Sequence, residues 1–387
     1  METVKLNRIG QRKIKQGICV LEESDVLSLP VSNQYVRLSD ESGKIIGQGY
    51  LSQQNKGIGW VISSQPFTAN PAFFQDLFSK AEAKRQHYAQ SELTTAYRLF
   101  NQDGDGFGGL TIDFYDQYAL FTWYNEFIYS QKEMILKAFQ AQFPQILGAY
   151  EKIRFKGLGF ESAHLYGNEA PETFLVKENG VNYQVFLNDG LMTGIFLDQH
   201  EVRGSLVDGL ALGESLLNMF SYTAAFSVAA AMGGAVETTS VDLAKRSREL
   251  SEAHFVANGL PLDNHRFVVM DVFEYFRYAK RKGLSYDVIV IDPPSFARNK
   301  KQTFSVAKDY HRLIEQALGI LNPNGIIVAS TNASNLTPEK FKKELQKGFG
   351  KTKFRYLQTN RLPADFAVNK NDESSNYLKV FTIQVEK

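Results

Sequence analysis

The chain has 387 residues, enough for two or three domains of ordinary size. Hydrophobic residues make up 43% and charged residues 22%, as in an average globular protein, which excludes a disordered or collagen-like chain. Lysine plus arginine (43) nearly balances aspartate plus glutamate (42), so the charge of the whole chain does not steer it toward nucleic acid. The one cysteine, Cys19, excludes an internal disulfide and a zinc site of several cysteines, and it favours the reducing cytoplasm.

The N-terminal residues are basic, but no apolar stretch typical of a signal peptide follows them. The longest uncharged stretch, 215–236, has the length of a membrane-spanning helix. Its polar residues and the Gly233–Gly234 pair favour a buried strand, a turn and a buried helix instead. We therefore expect no contact with a membrane.

Residues 1–70 show the pattern of a small β domain. Strand patterns occupy 36–40, 41–51 and 56–64, with a turn at Asp40–Gly43. The first fifteen residues hold five basic side chains against Glu2 alone. This basic segment predicts a contact with RNA, and the alternative is a solvated basic strand.

Residues 71–187 mix helices and strands, so we expect a central α+β domain. Helices are predicted from Ala72 to Gln90 and from Ser130 to Phe143, where Pro144 ends the second. Strands are predicted at 110–115, 118–124, 150–155 and 182–187.

From residue 188 to residue 387 apolar strands alternate with helices. The strand candidates are 215–220, 237–242, 266–271, 286–292, 325–330, 354–360 and 378–386. Nearly continuous apolar strands predict an α/β domain whose parallel sheet is covered on both faces. The last two strands are joined by a polar segment without a helix pattern, so they are predicted to be antiparallel.

Three patterns that resemble metal or phosphate sites lack a residue or a spacing that such sites require. Asn101–Gly106 resembles the start of a calcium loop, but the position that needs a bidentate glutamate is Ile112. Gly157-Leu158-Gly159 begins a dinucleotide fingerprint whose third glycine is Ser162. The six histidines have no metal-ligand spacing, so no metal site is predicted.

The strongest signal is Asp292-Pro293-Pro294-Ser295-Phe296, directly after the apolar strand at 286–291. Ligands bind at the carboxyl ends of parallel strands, where this motif places a carboxylate, a rigid turn and an aromatic ring. Phe296 can stack on a planar base. A lone motif of this kind also fits a plain turn with a core aromatic residue.

The earlier strand ends strengthen the ligand interpretation. Asn218, Phe220 and Ser221 close the first strand, and the turn lacks the glycines of a pyrophosphate cradle. Asp242 ends the next strand, where a carboxylate can accept both hydroxyls of a ribose. Asp271 follows the third strand beside Val272 and can accept from an adenine amino group. Each aspartate alone fits a helix cap, but together they predict a crevice for a phosphate-free adenosine cofactor.

These segments resemble the bacterial large-subunit ribosomal RNA cytosine-5 methyltransferases, within the class I S-adenosylmethionine-dependent methyltransferases. The resemblance rests on 192–203, 218–227, 240–247 and 291–301, with 96–115 similar to the central domain of that family. It implies a Rossmann-like methyltransferase domain over 188–387, a central domain over 71–187 and a PUA-like RNA-binding β-barrel over 1–70. It also implies S-adenosyl-L-methionine as cofactor and ribosomal RNA as partner, and it leaves a homodimer open.

The resemblance also implies roles for individual residues. The implied cofactor contacts are Phe196, Asp198, Gln199, Asn218, Phe220, Ser221, Asp242, Asp271, Val272 and Asp292. The implied catalytic residues are Asp292, Pro293, Phe296 and Asn332. Arg203 is expected near the site, and for Tyr310 a site role and core packing are equally open.

The chain departs from the family at the catalytic cysteine. Carbon 5 of cytosine is a poor nucleophile, and enzymes that methylate it add a thiolate to the ring. The family carries this cysteine after the fifth strand, where this chain has Asn332, and Cys19 lies in the N-terminal β domain. A nitrogen target needs orientation rather than a thiolate, so a purine nitrogen is a further candidate. Two other functions stay open: RNA binding without methyl transfer, and methylation of a substrate other than RNA.

Overall fold

The computed structural model describes residues 1–28, 31–298 and 303–386. The chain divides into two compact units. The N-terminal unit comprises Met1–Phe174, Phe186–Thr193 and Ala364–Asn376, and the C-terminal unit comprises Leu175–Val185, Gly194–Pro363 and Tyr377–Lys387. The division into domains at residues 70 and 187 stays a prediction. No helix in the described residues has the length and apolar character needed to cross a bilayer.

The N-terminal unit begins with a five-stranded sheet, in the order β1-β3-β4-β5-β2. Its strands are β1 (Glu2–Lys5), β2 (Val20–Leu21), β3 (Gln34–Ser39), β4 (Ile45–Gln54) and β5 (Gly57–Ser63). The predicted turn is confirmed, since the Gly43 N–H donates to the Asp40 carbonyl at 3.1 Å. Only the start of the basic segment is a strand: after β1, four of its five basic residues lie in helix α1 (Arg8–Lys15), which begins because the Asn7 side chain accepts from the first free N–H groups.

A second five-stranded sheet completes the folded core of this unit, in the order β10-β9-β8-β7-β6. Its elements are α2 (Pro71–Lys84), α3 (Gln86–Ala89), β6 (Ala96–Asn101), β7 (Leu110–Tyr115), β8 (Tyr118–Trp123), α4 (Glu126–Ser130), α5 (Lys132–Gln142), β9 (Gly148–Ile153) and β10 (Ser162–Gly167). The predicted helix 72–90 is broken at Arg85, whose buried guanidinium bonds Asp105 instead of pointing to solvent.

The C-terminal unit carries a seven-stranded sheet in the order β15-β14-β13-β16-β19-β21-β20. The strands of the unit are β11 (Phe174–Glu178), β12 (Val181–Val185), β13 (Ser215–Met219), β14 (Glu237–Asp242), β15 (His265–Val269), β16 (Tyr286–Ile291), β17 (Phe296–Arg298), β18 (Thr303–Ser305), β19 (Leu321–Thr331), β20 (Lys353–Asn360) and β21 (Lys379–Glu386). Outside the seven-stranded sheet, β11 pairs with β12 and β17 pairs with β18. The helices are α6 (His200–Ser205), α7 (Ala225–Met232), α8 (Arg246–Ala257), α9 (Val272–Lys282), α10 (Val306–Leu318) and α11 (Pro338–Phe349).

The pairing of these strands confirms the predicted α/β fold. Strands β15, β14, β13, β16 and β19 are parallel, whereas β21 runs antiparallel to both β19 and β20. Both faces of the sheet are buried, as β16 illustrates. Ile289 and Ile291 pack in the core with α9 and α10, while Val288 and Val290 pack in the core with α6 and α7. Burial on both sides explains why the strand reads as an unbroken apolar run.

Strand order reverses between β13 and β16, which are neighbours although two strands lie between them in sequence. A crevice forms at such a point, outside the carboxyl ends of the strands. The side chains predicted from the strand ends therefore lie at one edge of the sheet.

Candidate active site

The turn after β13 has an unusual backbone. Phe220, Tyr222 and Ala224 all have positive φ angles, of 58°, 49° and 59°. Left-handed conformations cost energy in residues with a side chain, and they persist where the surroundings hold them. Here the Ser221 N–H donates to the Val241 carbonyl at 3.0 Å, so the turn is fastened to β14.

Asp242, at the end of β14, is the second fastening point of that turn. One carboxylate oxygen accepts from the Tyr222 N–H at 2.9 Å, and the other accepts from the Ala244 N–H at 2.9 Å. A small open pocket lies beside it and is also lined by Ser221 and Val268. The oxygen that accepts from Ala244 also accepts from the Ser247 hydroxyl at 3.3 Å, whereas the oxygen that accepts from Tyr222 has a second lone pair and retains acceptor capacity toward a ligand.

Asp271 is the N-cap of helix α9, where its side chain accepts from the Glu274 N–H at 3.1 Å. Val272 is 5% exposed and packs in the core of the sheet. The sequence pattern allowed this capping role. In the sheet, Asp271 follows β15, the strand next to the one that Asp242 ends. The Met270 N–H donates to the Asp242 carbonyl at 2.9 Å, which holds the two strand ends together.

Asp292 follows β16 and is partly buried, while Pro293 beside it is buried. Its carboxylate accepts hydrogen bonds from Ser330 and Gln199, and both donors are uncharged. Burial, reinforced by the nearby charge of Asp198, raises the pKa of Asp292 to about 6. The carboxylate is therefore ionised at neutral pH but close to its protonation point, as suits a group that accepts a proton.

Ser330 lies beside Asp292 and makes hydrogen bonds with Gln199 and Tyr310. Its place at the site was not predicted from the sequence. It is fully buried at the end of β19, and its hydroxyl accepts from the Gln199 side-chain N–H at 2.8 Å. Tyr310 is also fully buried: its hydroxyl donates to the Ile291 carbonyl at 2.7 Å and accepts from the Ser330 N–H at 3.0 Å. Tyr310 thus joins the ends of β16 and β19 from within the core.

Arg203 holds the segment that contains Phe196 to Gln199. Its guanidinium pairs with Glu178 through two hydrogen bonds, of 2.6 and 2.7 Å, and donates to the Phe196 carbonyl at 2.6 Å. Asp198 accepts from the Tyr377 hydroxyl at 3.0 Å. Glu178 and Tyr377 were missed because they lie far from this segment in sequence, and neither belongs to a local motif.

The aromatic side chains of the two site loops are exposed. Phe296 is 61% exposed and Phe196 is 51% exposed. Asn332 is also exposed, and its side-chain oxygen accepts from the Ser295 hydroxyl at 2.8 Å, which ties the Asp-Pro-Pro turn to the loop after β19. The last residues of the motif segment, Asn299, Lys300 and Lys301, lie outside the described residues.

Two buried amide oxygens at the site have no hydrogen-bond partner within the described residues. They are Oδ1 of Asn218 and Oε1 of Gln199, on side chains that are 1% and 3% exposed. Buried acceptors are almost always satisfied, so these two are available to donors of a ligand. In the described part of the chain no three histidine, cysteine, aspartate or glutamate side chains are grouped to hold a metal ion.

Comparisons with known proteins agree with this geometry. The sequence pattern of an S-adenosylmethionine-dependent methyltransferase matches residues 154–369, and that of a PUA-like domain matches residues 4–64. The chain is 41% identical to YwbD of Bacillus subtilis, a protein provisionally named a ribosomal RNA large subunit methyltransferase, over 99% of this chain and 100% of that protein. It is 31% identical to ribosomal RNA large subunit methyltransferase I of Photobacterium profundum, over 77% of this chain and 76% of that protein.

A crystal structure of SMU.776, a protein provisionally named a methyltransferase, in complex with SAH has a TM-score of 0.96 and 59% identity, with all of both chains covered. The residues of this chain fit such a cofactor. The orphaned oxygens of Asn218 and Gln199 can accept from its amino groups, and Asp242 adjoins a cavity at the strand ends. The chain belongs to the S-adenosylmethionine-dependent methyltransferase family, in the branch whose relatives are named ribosomal RNA large subunit methyltransferases, and S-adenosyl-L-methionine is its cofactor.

Proposed function

We propose that the chain transfers the methyl group of S-adenosylmethionine to a base of ribosomal RNA. The names of the full-length relatives and the PUA-like match at residues 4–64 support an RNA substrate. One observation carries the proposal: a carboxylate with a raised pKa, Asp292, is followed at once by a rigid turn and by the exposed ring of Phe296.

This arrangement suits a base that has left its stack. An extruded base can lie against the face of Phe296 while its polar edge reaches Asp292. Pro293 lacks an N–H group and has a restricted backbone, so its carbonyl provides a fixed acceptor beside the base. Asn332, tied to Ser295, can bond a second position on the base edge. We therefore expect the target nucleotide to be unpaired or in a loop.

The proposed cofactor contacts follow the strand ends. We assign the ribose hydroxyls to Asp242 and the adenine to Asp271 and Val272, beside the turn of Phe220 and Ser221. The assigned contacts of the methionine end are Phe196, Asp198, Gln199 and Asn218. When bound, S-adenosylmethionine supplies an electrophilic methyl group on a positively charged sulfur.

We further propose that the methylated atom is a nitrogen of the base. Burial raises the pKa of Cys19 to about 12. This thiol makes hydrogen bonds with the Gly17 carbonyl and the Asn369 side-chain N–H within the N-terminal unit. A thiol with that pKa is protonated at neutral pH and is a poor nucleophile. A nitrogen lone pair forms the new bond to the methyl carbon as the carbon–sulfur bond breaks, and the N–H proton passes to Asp292. Cytosine carbon 5, the target in the family that this chain resembles, is the competing assignment.

The test is methyl transfer to ribosomal RNA from a strain that lacks the gene. Purified protein and labelled S-adenosylmethionine should label large-subunit RNA, and nucleoside analysis should find one methylated base. Asp292→Asn should abolish labelling, while Asp76→Asn, at a carboxylate whose side chain is 59% exposed, should preserve it. RNA binding without any labelling would contradict the proposal and favour a protein that only binds RNA. Sedimentation of the same preparation tests whether the chain forms the homodimer that the resemblance leaves open.

A further inference from the structure

Helix α11 and the strand that follows it are strongly basic. Residues 338–357 contain seven lysines and arginines against two glutamates, although the net charge of the whole chain is only +1. Four exposed lysines, Lys340, Lys343, Lys347 and Lys351, are spaced by three or four residues, so they fall on one side of α11 and its end. We call these four residues the lysine stripe.

The lysine stripe has no structural task within the fold. The opposite side of α11, formed by Phe341, Leu345 and Phe349, is at most 2% exposed and already packs on the sheet. None of the four ammonium groups has an ion-pair partner among the residues that the structure describes. The nearest acidic residue in sequence, Glu344, pairs with His311 at 3.0 Å. The positive charge of the stripe is therefore available to an external partner.

Strand β20 lies beside helix α11. It is the last strand of the sheet, and its Phe354 and Tyr356 contact α11, whereas the exposed Lys353 and Arg355 alternate with them and lie on the other face of the sheet. Tyr356 and Leu357 are 38% and 45% exposed. The Lys342 ammonium, on α11 but outside the lysine stripe, lies 5.3 Å from the centre of the Tyr356 ring, so this ring adjoins the basic helix. Positive charge beside an exposed aromatic ring is the combination that single-stranded nucleic acids bind.

The surface also adjoins the active site along the chain. Helix α11 begins at Pro338, and the loop that leads to it contains Asn332. The buried Lys379 ammonium fixes this loop by donating to the carbonyls of Ala333 and Leu336, both at 2.7 Å. A nucleic acid that places a base beside Asn332 can continue along α11, where successive turns offer an ammonium group about every 5.4 Å.

We propose that the lysine stripe and the exposed edge of β20 bind the phosphate backbone of the RNA that flanks the methylated base. This inference rests on the proposed function and adds a second RNA surface, within the C-terminal unit. Phosphates supply the negative charge that the lysine stripe does not find within the fold. A base can also stack on the Tyr356 ring, a contact that an anionic membrane or an acidic protein would not make.

The test compares two triple variants of the full chain. The first replaces Lys343, Lys347 and Lys351 by glutamine. The matched control replaces Lys280, Arg281 and Lys282, three exposed basic residues at the end of α9, by glutamine as well. Binding of each to ribosomal RNA is measured by filter retention over a range of salt, and binding of S-adenosylmethionine by calorimetry reports an intact fold.

We expect the stripe variant to lose roughly 100-fold in RNA affinity at 0.1 M salt, because each lost phosphate contact removes about 0.7 from the logarithmic salt slope. The slope itself should fall by about 2. Unchanged affinity, or an equal loss in the α9 control, overturns the proposal, and so does a wild-type preference for phosphatidylserine vesicles over RNA. The proposed function fails separately, if wild-type protein binds RNA through the stripe but transfers no methyl group.

Discussion

Asp105 in the N-terminal unit and Asp292 in the C-terminal unit are both carboxylates withdrawn from solvent, yet their partners differ. Asp105 receives two hydrogen bonds of 2.7 Å from the buried Arg85 guanidinium, one of 2.9 Å from Lys84 and one of 2.7 Å from the Asn101 N–H. Its charge is neutralised by cations that the chain itself supplies.

Asp292 instead receives hydrogen bonds from an alcohol and an amide. The charge of Arg203 favours its ionisation, but burial and a second carboxylate, Asp198, oppose it more strongly. Its pKa is therefore raised to about 6. The comparison shows that two carboxylates withdrawn from solvent can have very different surroundings. A buried carboxylate with paired cations stabilises the fold, whereas one held by neutral donors stays close to a proton transfer.

The largest effect should come from breaking the ion pair in the N-terminal unit. Asp105→Asn leaves the Arg85 guanidinium buried without its counter-charge, which should lower the free energy of unfolding by about 3–5 kcal/mol. Urea denaturation measures this change. Asp76→Asn, which breaks the exposed pair with Lys80, should cost at most about 1 kcal/mol. Equal effects of the two substitutions would contradict the structural role of Asp105.

Asp292→Asn should reverse that pattern, with a large loss of rate and no loss of stability. A positioned proton acceptor typically contributes at least about 100-fold, so methyl transfer should fall by that factor. Because the folded pKa is raised, the ionised carboxylate disfavours folding above about pH 6, and this cost is relieved progressively as the pH falls from about 6 toward the ordinary carboxyl pKa of 3.8. The asparagine variant at pH 8 should therefore be at least as stable as the wild type. A loss of stability that matched the loss of rate would show that Asp292 is structural.

Ser330→Ala sharpens the comparison at the level of a single hydrogen bond. The Ser330 hydroxyl lowers the pKa of Asp292, so its removal should raise that pKa further. The acid limb of kcat/KM against pH, near pH 6 in the wild type, should move to higher pH. Ser295→Ala, which removes the contact with Asn332, serves as the matched control and should leave the limb in place. If the acid limb of the kcat/KM profile stays in place in Ser330→Ala, Asp292 is not the group whose ionisation produces it.

The smallest effect should come from Cys19→Ser, which we expect to leave methyl transfer unchanged. Burial raises the pKa of this thiol to about 12, so it supplies no thiolate at neutral pH. For the same reason RNA containing 5-fluorocytosine should form no covalent adduct with the protein. Gel analysis of the labelled RNA detects such an adduct. A trapped adduct would restore cytosine carbon 5 as the target.

The sequence by itself determined the α/β sheet and the position of its ligand edge. Apolar runs as long as 286–291 are specified by burial on both faces, and an aspartate that follows such a run must lie at the carboxyl end. The helix at Arg8–Lys15 escaped prediction because its basic residues mask the short apolar pattern, and only the Asn7 cap reveals its start.

Only the tertiary structure decided which carboxylates are paired with cations and which are held by neutral donors. Arg85 lies twenty residues before Asp105, and Ser330 lies 38 residues after Asp292, so no local pattern connects either pair. The ionisation of a carboxylate depends on the charge and donors within a few ångströms of it, and folding brings these together from distant parts of the chain. The residue types therefore predicted an aspartate at the site, and the packing around Asp292 determined its chemistry.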